Sequence, residues 1–289
     1  MQKIQNPELC QKGIVIADGD YTLASQLRSW IPESLLLQER NRMIASQNPL
    51  DYVVDLAPKL PRDVKISLLK WALESQHVNQ AASYLGFMPR LATIYVLYHI
   101  PKADFSYGAM NWHRDTMVHK GLNMFMAISD VTDFSGVYSA VPLDVIPKSC
   151  VIEKKARNID LSSPMWNRYR LTDLELSDYV HNSKVITLKG PPGTTAWVAS
   201  GDVYHKGGHC LKNERIMLEI SYQSDCFQGG CSDNIISNWG LDDDPDVLSV
   251  LNDPLNKYLL EKPSLLRRGP LSKIFWAFSR YGRTPLKQV

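Results

Sequence analysis

Two residues near the middle of the chain have the types and the spacing of a metal site. In the segment NWHRDT, His113 and Asp115 are two positions apart. On a β-strand this spacing places both side chains on the same face, so an imidazole and a carboxylate can converge on one ion. A single His-x-Asp pair is weak evidence, because such a pair often arises by chance on a surface. A metal site of this type needs a second histidine from another part of the chain.

A second segment supplies that histidine together with a cation. His205 stands in the glycine-rich segment GDVYHKGG, and Arg215 begins a strand-like run ten residues later. Two imidazoles and one carboxylate leave coordination positions open, a ligand set typical of non-haem Fe(II) oxygenases. In such enzymes the co-substrate 2-oxoglutarate needs a fixed cation, and the planar fork of an arginine binds a carboxylate through two parallel hydrogen bonds. We expect His113, Asp115 and His205 to bind iron. Arg215 is then the expected anchor for 2-oxoglutarate.

The run that begins at Arg215 has two different faces if it is a strand. The polar face would carry Arg215, Met217, Glu219 and Ser221. The apolar face would carry Ile216, Leu218, Ile220 and Tyr222. Burying an arginine and a glutamate costs free energy unless the face lines a site. We therefore expect the polar face to line the site and the apolar face to pack on N-terminal helices.

The elements that would position these residues are short strands. LATIYVLYHI (91–100) is rich in β-branched and aromatic residues, as strands are. The later strand-like runs, each bounded by Gly, Pro, Asp or Asn, are NMFMAIS, GVYSAVP, KVITLKG, TTAWVAS and RIMLEISYQ. Short strands without interleaved amphipathic helices favour an antiparallel barrel or sandwich. An earlier run, GIVIA (13–17), also resembles a strand.

The regions around these strands are predicted to be mainly helical. Apolar residues recur at helical spacing from Tyr21 to about Gln47 and again after Pro61, so residues 1–90 are expected to support the core at 91–225. Residues 152–182 interrupt the strands with charged and aromatic residues and resemble a lid. Residues 226–289 form the predicted C-terminal extension.

The C-terminal extension contains the basic amphipathic segment LSKIFWAFSRYG. We interpret it as a helix docked on the barrel, with contact to a partner or a membrane surface as the alternative. The sequence has no internal repeat and no low-complexity linker, so we predict one domain over residues 1–289.

Composition limits the class of protein. The chain has 289 residues, 44% of them hydrophobic, and a formal net charge of +2. A nearly neutral chain gives no reason to expect a nucleic-acid partner. Five scattered cysteines without a CxxC pair favour reduced thiols. With neither a secretory signal nor a transmembrane segment in the sequence, we predict a cytoplasmic protein; its oligomeric state stays open.

Taken together, the motifs resemble the phytanoyl-CoA dioxygenase-like branch of the Fe(II)/2-oxoglutarate oxygenases. The matching segments, which span about 91–222, are WHRD at 112–115, SDV at 129–131, GVYSAVP at 136–142 and GDVYHKGG at 201–208, followed by Arg215. The resemblance implies a mainly β protein with helical additions (α+β), whose double-stranded β-helix (jelly-roll) core is flanked by N-terminal and C-terminal helices. It also implies that His113, Asp115 and His205 bind Fe(II) and that Arg215 binds 2-oxoglutarate.

The resemblance has one departure and leaves one competing ligand. Relatives usually continue the GxxxxVP element with Gly-Ser-His, where this chain departs at Leu143 and Asp144. The loop beside the site is therefore expected to be remodelled for another substrate. In relatives, the number of residues between the ligand histidine and the arginine is about the same as the number between His205 and Arg215. This favours His205 over His209, which we interpret as a neighbour of the site. His119 is interpreted as a loop residue.

The resemblance implies that O2 and 2-oxoglutarate are consumed while a C–H bond of a small molecule is oxidised, with release of succinate and CO2. Hydroxylation is favoured, with desaturation or cyclisation as the alternatives. Asp115 argues against halogenation, because halogenating relatives carry a small residue there. The insertion carries the aromatic and cationic residues Trp166, Arg168, Tyr169 and Arg170. These side chains would suit an anionic or amino-acid-like substrate. Two other functions stay open: a cupin-type metal enzyme that does not use 2-oxoglutarate, and a non-catalytic binding module on the same barrel.

Overall fold

The structure, a computed structural model, describes residues 6–17, 19–48, 50–102, 108–115, 121–146, 170–223 and 235–260. Within these ranges the strands are β1 (Ile14–Ala17), β2 (Val53–Asp55), β3 (Arg90–His99), β4 (Gly121–Ala127), β5 (Tyr138–Ala140), β6 (Ile186–Leu188), β7 (Thr195–Val198), β8 (His205–Lys206) and β9 (Arg215–Gln223). Each strand-like run singled out in the sequence overlaps one of these strands. The sequence pattern did not reveal β2 or the two-residue β8.

The strands form two antiparallel sheets. The large sheet has the order β1-β7-β4-β9-β3-β2, and the small sheet has the order β6-β5-β8. An isolated antiparallel bridge between His113 and His205 adds the His-x-Asp segment beside β8. From β3 onward the chain passes back and forth between the two sheets. The large sheet receives β3, β4, β7 and β9 in turn. Between them come the segment at His113, then β5 and β6, and then β8, which lie in or beside the small sheet. The predicted antiparallel arrangement is confirmed.

The described helices lie mainly before β3 and after β9. They are α1 (Pro7–Lys12), α2 (Tyr21–Trp30), α3 (Glu33–Ala45), α4 (Arg62–Ala72), α5 (Ser75–Leu85), α6 (Asp173–Ser177), α7 (Ile235–Asn238), α8 (Pro245–Leu251) and α9 (Pro254–Leu260). Short 3-10 helices lie at Ala57–Lys59, Gly108–Met110 and Asn182–Lys184.

The two helical stretches expected in the N-terminal region are each broken into two helices. Asp20 caps α2 by accepting a hydrogen bond from the backbone N–H of Leu23 at 2.8 Å. This helix ends at Ile31, which is extended (φ −89°, ψ 109°), because a residue that precedes a proline is disfavoured in the helical region. Pro32 then precedes α3. Extended backbone at Glu74 likewise separates α4 from α5.

The helix layer covers one face of the large sheet. A single apolar cluster joins Leu27, Leu68, Leu69, Trp71 and Ala81 of the helices to Ile216, Leu218, Ile220 and Tyr222 of β9. The hydroxyl of Tyr222 donates a hydrogen bond to the backbone carbonyl of Ala72 at 2.6 Å. The prediction that the apolar face of β9 packs on the N-terminal helices is confirmed.

The opposite face of the large sheet is turned toward the small sheet. A second apolar cluster fills part of the space between them and includes Phe125, Ala127, Tyr138, Leu188, Ala196, Val198 and Met217. Met217 belongs to the alternate face of β9, so Arg215, Glu219 and Ser221 share its direction. The residues expected to line a site therefore face the space between the sheets.

Part of the predicted insertion packs beside the small sheet. Leu171 pairs with Trp112 in an isolated bridge, and a third apolar cluster contains Trp112, Val141, Leu171, Leu176, Val180 and Tyr204. Residues 152–169, on which the lid interpretation mainly rests, lie outside the described residues, as does the basic segment at 271–282. The division into support, core and extension stays a prediction. Among the described residues, no helix is long and apolar enough to cross a membrane.

Candidate metal centre

Three of the predicted site residues come together at the small sheet. His113, Asp115 and His205 each offer one ligand atom, and these atoms all lie within 4.8 Å of one another. Nε2 of His113 is 3.6 Å from Oδ1 of Asp115, and Nε2 of His205 is 3.7 Å from the same oxygen. Two nitrogens and one carboxylate oxygen thus surround a common point. Elsewhere in the described ranges, no other group of three His, Cys, Asp or Glu side chains has this arrangement.

Both histidines are oriented by the backbone two residues before them. Nδ1 of His113 lies 2.8 Å from the carbonyl oxygen of Asn111, and Nδ1 of His205 lies 3.3 Å from that of Val203. A carbonyl oxygen only accepts hydrogen bonds, so Nδ1 carries the proton in each ring, and in the neutral tautomer Nε2 carries none. Nε2 then keeps its lone pair and faces Asp115. Hydrogen bonding of the remote ring nitrogen is the usual way in which a protein fixes a histidine for a metal.

The electrostatics of the three residues also suit a cation. Burial, with His113 and Arg170 nearby, lowers the pKa of His205 to about 4. Its imidazole is therefore neutral near pH 7. The pKa of Asp115 is lowered although burial alone would raise it, because His113 and His205 lie against the carboxylate. The anionic oxygen of Asp115 and the neutral ring of His205 both match what a divalent metal ion requires.

The glycines of two sequence motifs let the chain bring β8 to this position. Gly208 has φ +73°, and a Cβ there would lie 2.4 Å from the carbonyl oxygen of Val137. Gly136 has φ +75°, and a Cβ there would lie 2.9 Å from the backbone nitrogen of Cys210. Each glycine therefore takes a left-handed conformation with no room for a side chain. The GVYS and HKGG segments need these glycines because their backbones pack directly against each other.

A polar cluster that the sequence did not predict holds the two ligand strands to α6. Nε1 of Trp112 donates a hydrogen bond to Oδ1 of Asp173 at 2.6 Å, and Lys206 forms an ion pair with the same carboxylate. The ammonium of Lys206 also lies 5.0 Å from the centroid of the Trp112 ring. Trp112 precedes His113 and Lys206 follows His205. Asp173 thus contacts a residue next to each of the two histidines. Because Asp173 is far from both histidines in the sequence, this contact could not be predicted from it.

Arg215 begins β9 directly opposite His99 on β3. The guanidinium is 2% exposed and donates one hydrogen bond, from Nη1 to the carbonyl oxygen of Gly207 at 2.6 Å. Its Nε is buried and has no hydrogen-bond partner within the described ranges. Burial lowers the pKa of Arg215, although an arginine stays charged in proteins. Within the described ranges, this buried cation keeps its Nε as a free donor, which suits a carboxylate.

Arg170 is the one residue of the predicted cationic and aromatic group in the insertion that the structure describes. It is partly buried, and burial lowers its pKa. It lies close enough to Asp115 and to Tyr52 for both to act electrostatically on its guanidinium. This places a cation beside the metal centre. Trp166, Arg168 and Tyr169 lie outside the described residues.

The competing histidine, His209, does not join the three predicted ligands. His209 is absent from the converging group, although its Nε2 is buried without a hydrogen-bond partner in the described part of the chain. Its backbone lies against Gly136, next to the bridge between Ser135 and Cys210. His119 lies outside the described residues.

Comparisons with known proteins gave matches only among solved structures. No family model matches the chain, and no curated protein sequence matches it. One similar structure is the epimerase SnoN in complex with Fe3+, alpha ketoglutarate and nogalamycin RO, with a TM-score of 0.48 and 16% identity over 76% of this chain and 82% of that chain. Another is EctD from S. alaskensis with 2-oxoglutarate and 5-hydroxyectoine, with a TM-score of 0.45 and 13% identity over 77% of each chain.

A third similar structure is the non-heme alpha ketoglutarate dependent carbocyclase SnoK from nogalamycin biosynthesis. Its TM-score is 0.47, with 12% identity over 78% of this chain and 85% of that chain. Similarity at this level does not establish a family, and we base no functional conclusion on it.

Proposed function

We propose that this chain is an Fe(II)- and 2-oxoglutarate-dependent oxygenase in which His113, Asp115 and His205 hold the metal. The observation that carries the proposal is the convergence of the two Nε2 atoms on one oxygen of Asp115. In both rings the other nitrogen is held by a backbone carbonyl, so two lone pairs and one anionic oxygen are already in place. The motifs quoted above further support membership of the phytanoyl-CoA dioxygenase-like branch.

A double-stranded β-helix core is part of this proposal. The repeated passage of the chain between the large and the small sheet supports it. Such a core is formed when a chain winds back and forth between two facing sheets. The proposed ligands then come from the small sheet and its edge, whereas Arg215 comes from β9 of the large sheet. Metal and co-substrate would thus be held from opposite sides of the space between the sheets.

The residues of the chain supply orientation, charge and shielding from water. Fe(II) bound with 2-oxoglutarate and O2 supplies the oxidation of a C–H bond, while 2-oxoglutarate is converted to succinate and CO2. Arg215 would bind the far carboxylate of 2-oxoglutarate, and its unsatisfied Nε supports this role. Phe125 and Tyr138, both buried between the sheets, exclude water from the site. We propose hydroxylation as the outcome, as the sequence analysis favours.

The substrate of the proposed enzyme is a small molecule with an anionic or amino-acid-like group. Arg170 supports this class because its guanidinium lies beside the metal centre and within electrostatic reach of Asp115. A substrate carboxylate bound there would be held close to the oxidising centre. The described residues give no comparable support for a cupin-type enzyme without 2-oxoglutarate, which would have no use for the buried Arg215.

The proposal is tested by adding Fe(II) and then 2-oxoglutarate to the apo-protein without oxygen. A weak visible charge-transfer band that needs both additions would support an iron chelate of 2-oxoglutarate. His205→Ala should abolish the band, and His209→Ala should keep it, so the two variants form a matched pair. A folded protein that gives no band, or an equal loss in both variants, would contradict the proposed function or its ligand set.

A further inference from the structure

One acidic residue on the site-facing side of β9 is not used by the proposed metal or co-substrate. Glu219 lies four positions after Arg215, so both share the face that looks between the sheets. It pairs across the sheet with Phe125 on β4 and with Tyr95 on β3. In the described part of the chain no salt bridge reaches Glu219, and its hydrogen bond comes from Nδ2 of Asn123 at 3.3 Å. A carboxylate placed here has capacity for further donors.

Two neighbouring side chains are also left incompletely bonded. Asn123 is 3% exposed, and its Oδ1 has no hydrogen-bond partner within the described ranges. Tyr138 is 5% exposed, and its hydroxyl is likewise buried without such a partner. Buried polar atoms normally find a partner, because an unsatisfied one costs free energy. Two of them beside a carboxylate leave hydrogen-bonding capacity that a polar ligand can use.

This polar group lies next to the metal centre. The ring of Tyr138 stacks on the ring of His205, with centroids 5.7 Å apart and an interplanar angle of 19°. The ring of Phe125 also packs against Tyr138, with centroids 4.4 Å apart. Glu219 and Tyr138 both lie within electrostatic reach of Asp115. A ligand that reached Glu219 would therefore lie beside the proposed oxidising centre.

The charges around Glu219 select the kind of ligand. Burial and the carboxylates of Asp115 and Asp55 raise the pKa of Glu219 to about 8. A cation bound at Glu219 would relieve this unfavourable environment, whereas an anion would worsen it. A donor with several N–H groups would also reach the free acceptor on Asn123.

We propose that Glu219 and Asn123 form a specificity site for a protonated amino group of the substrate. This proposal rests on the proposed oxygenase function and narrows its substrate class. Arg170 also lies within electrostatic reach of Asp115, so a zwitterion whose ammonium group binds Glu219 would have a cation near the centre for its carboxylate. The substrate class is thus an amino acid or an amino-acid-like amine.

The test uses pairs of compounds that differ only at the amino group. A panel of L-amino acids and simple amines is compared with the N-acetylated form of each, in which the nitrogen carries no charge. The full-length protein is loaded with Fe(II) and 2-oxoglutarate, and the readout is succinate released in excess of the level without added compound. We expect the free amines to stimulate release about tenfold more than their acetylated forms, the usual effect of losing one charge-assisted hydrogen bond.

Variants assign the preference to Glu219. Glu219→Gln keeps the shape of the side chain without the charge and should remove the preference for free amines, whereas Glu219→Asp should retain part of it. Glu214→Gln, the same change just before β9, is the control and should behave as the wild type. The chelate band is recorded for every variant, so that loss of the metal centre is distinguished from loss of amine recognition.

Two results would overturn the inference while leaving the oxygenase proposal intact. One is a wild type that forms the chelate band but responds to no amine in the panel, or responds equally to the acetylated forms. The other is a Glu219→Gln variant that keeps the full preference for amines. Absence of the chelate band in the wild type would instead count against the proposed function itself.

Discussion

His113 and His205 hold each other through reciprocal backbone hydrogen bonds. The N–H of His113 donates to the carbonyl oxygen of His205 at 2.9 Å, and the N–H of His205 donates to that of His113 at 2.8 Å. The separation of the two imidazoles is thus set by the backbone and does not depend on a bound ion. Their ring centroids are 4.3 Å apart. We therefore expect the two histidines to hold this arrangement before metal binds.

Arg215→Lys should weaken binding of 2-oxoglutarate while leaving Fe(II) binding intact. Lysine keeps the charge but cannot make two parallel hydrogen bonds with a carboxylate, so the apparent Kd for 2-oxoglutarate should rise about tenfold or more. Titration of the chelate band with 2-oxoglutarate measures this Kd. Arg40→Lys, at a partly exposed arginine that pairs with Glu214, is the matched control. An unchanged Kd in Arg215→Lys would exclude Arg215 as the anchor.

Gly208→Ala should destabilise the protein more than Gly86→Ala. Both glycines have positive φ, +73° and +85°, but a Cβ at Gly86 meets nothing within 4 Å, whereas one at Gly208 lies 2.4 Å from the backbone of Val137. The Gly86 change should cost about 1 kcal/mol for conformation alone. The Gly208 change should cost about 3 kcal/mol or more, because the backbone must also move. Urea unfolding measures both, and equal losses would show that the backbones are not tightly packed there.

Arg170→Gln should lower substrate turnover without removing the chelate band. Arg170 lies beside Asp115 but is not among the converging metal ligands, so its loss should affect binding of an anionic substrate group. We expect kcat/KM to fall about tenfold for the strongest stimulator of succinate release. Arg28→Gln, a change at a surface ion pair with Glu33, serves as the control. Normal kinetics in Arg170→Gln would remove Arg170 from the proposed substrate site.

Glu219→Gln should change how the stability of the metal-free protein depends on pH. The pKa of Glu219 is raised from 4.5 to about 8 in the folded state. Between these values the folded state binds more protons than the unfolded state, so the glutamate costs the wild type stability as pH rises. The variant lacks this loss. The free energy of unfolding of the variant minus that of the wild type should therefore increase from about pH 5 to about pH 9.

Urea unfolding at a series of pH values measures that gain, with Glu214→Gln as the control. Parallel curves for wild type and Glu219→Gln would mean that Glu219 is ionised over this whole range.

Much of the fold could be predicted from local sequence because the strands have distinct local patterns. The run at 215–223 alternates between site-facing and helix-facing residues over its whole length. By contrast, β8 has only two residues and depends on the close packing of the glycines at 136 and 208, so no local pattern reveals it. The breaks at Ile31 and Glu74 were missed because the apolar spacing continues through them, although Pro32 was a usable signal.

The converging group of His113, Asp115 and His205 was predictable because a histidine and an aspartate two positions apart already indicate a shared direction. The other polar residues of the site were harder to find because their partners are distant in the chain. Asn123 meets Glu219 only through the pairing of β4 with β9. Trp112 meets Asp173 only through the packing of α6. Among the described residues, Nε of Arg215 and the hydroxyl of Tyr138 have no hydrogen-bond partner, and this follows from how they are buried. No residue pattern records them.

The two faces of strand β9 have different roles, one toward the site and one toward the packing of the fold. Its odd-numbered residues face the space between the sheets, and its even-numbered residues hold the helix layer, as the hydrogen bond from Tyr222 to Ala72 shows. If Glu219 recognises the substrate as proposed, a substitution there would change recognition, while the neighbouring Leu218 and Ile220 would continue to pack against the helix layer. A descendant of this protein could therefore acquire a new substrate through alternate positions of a single strand, with little loss of stability.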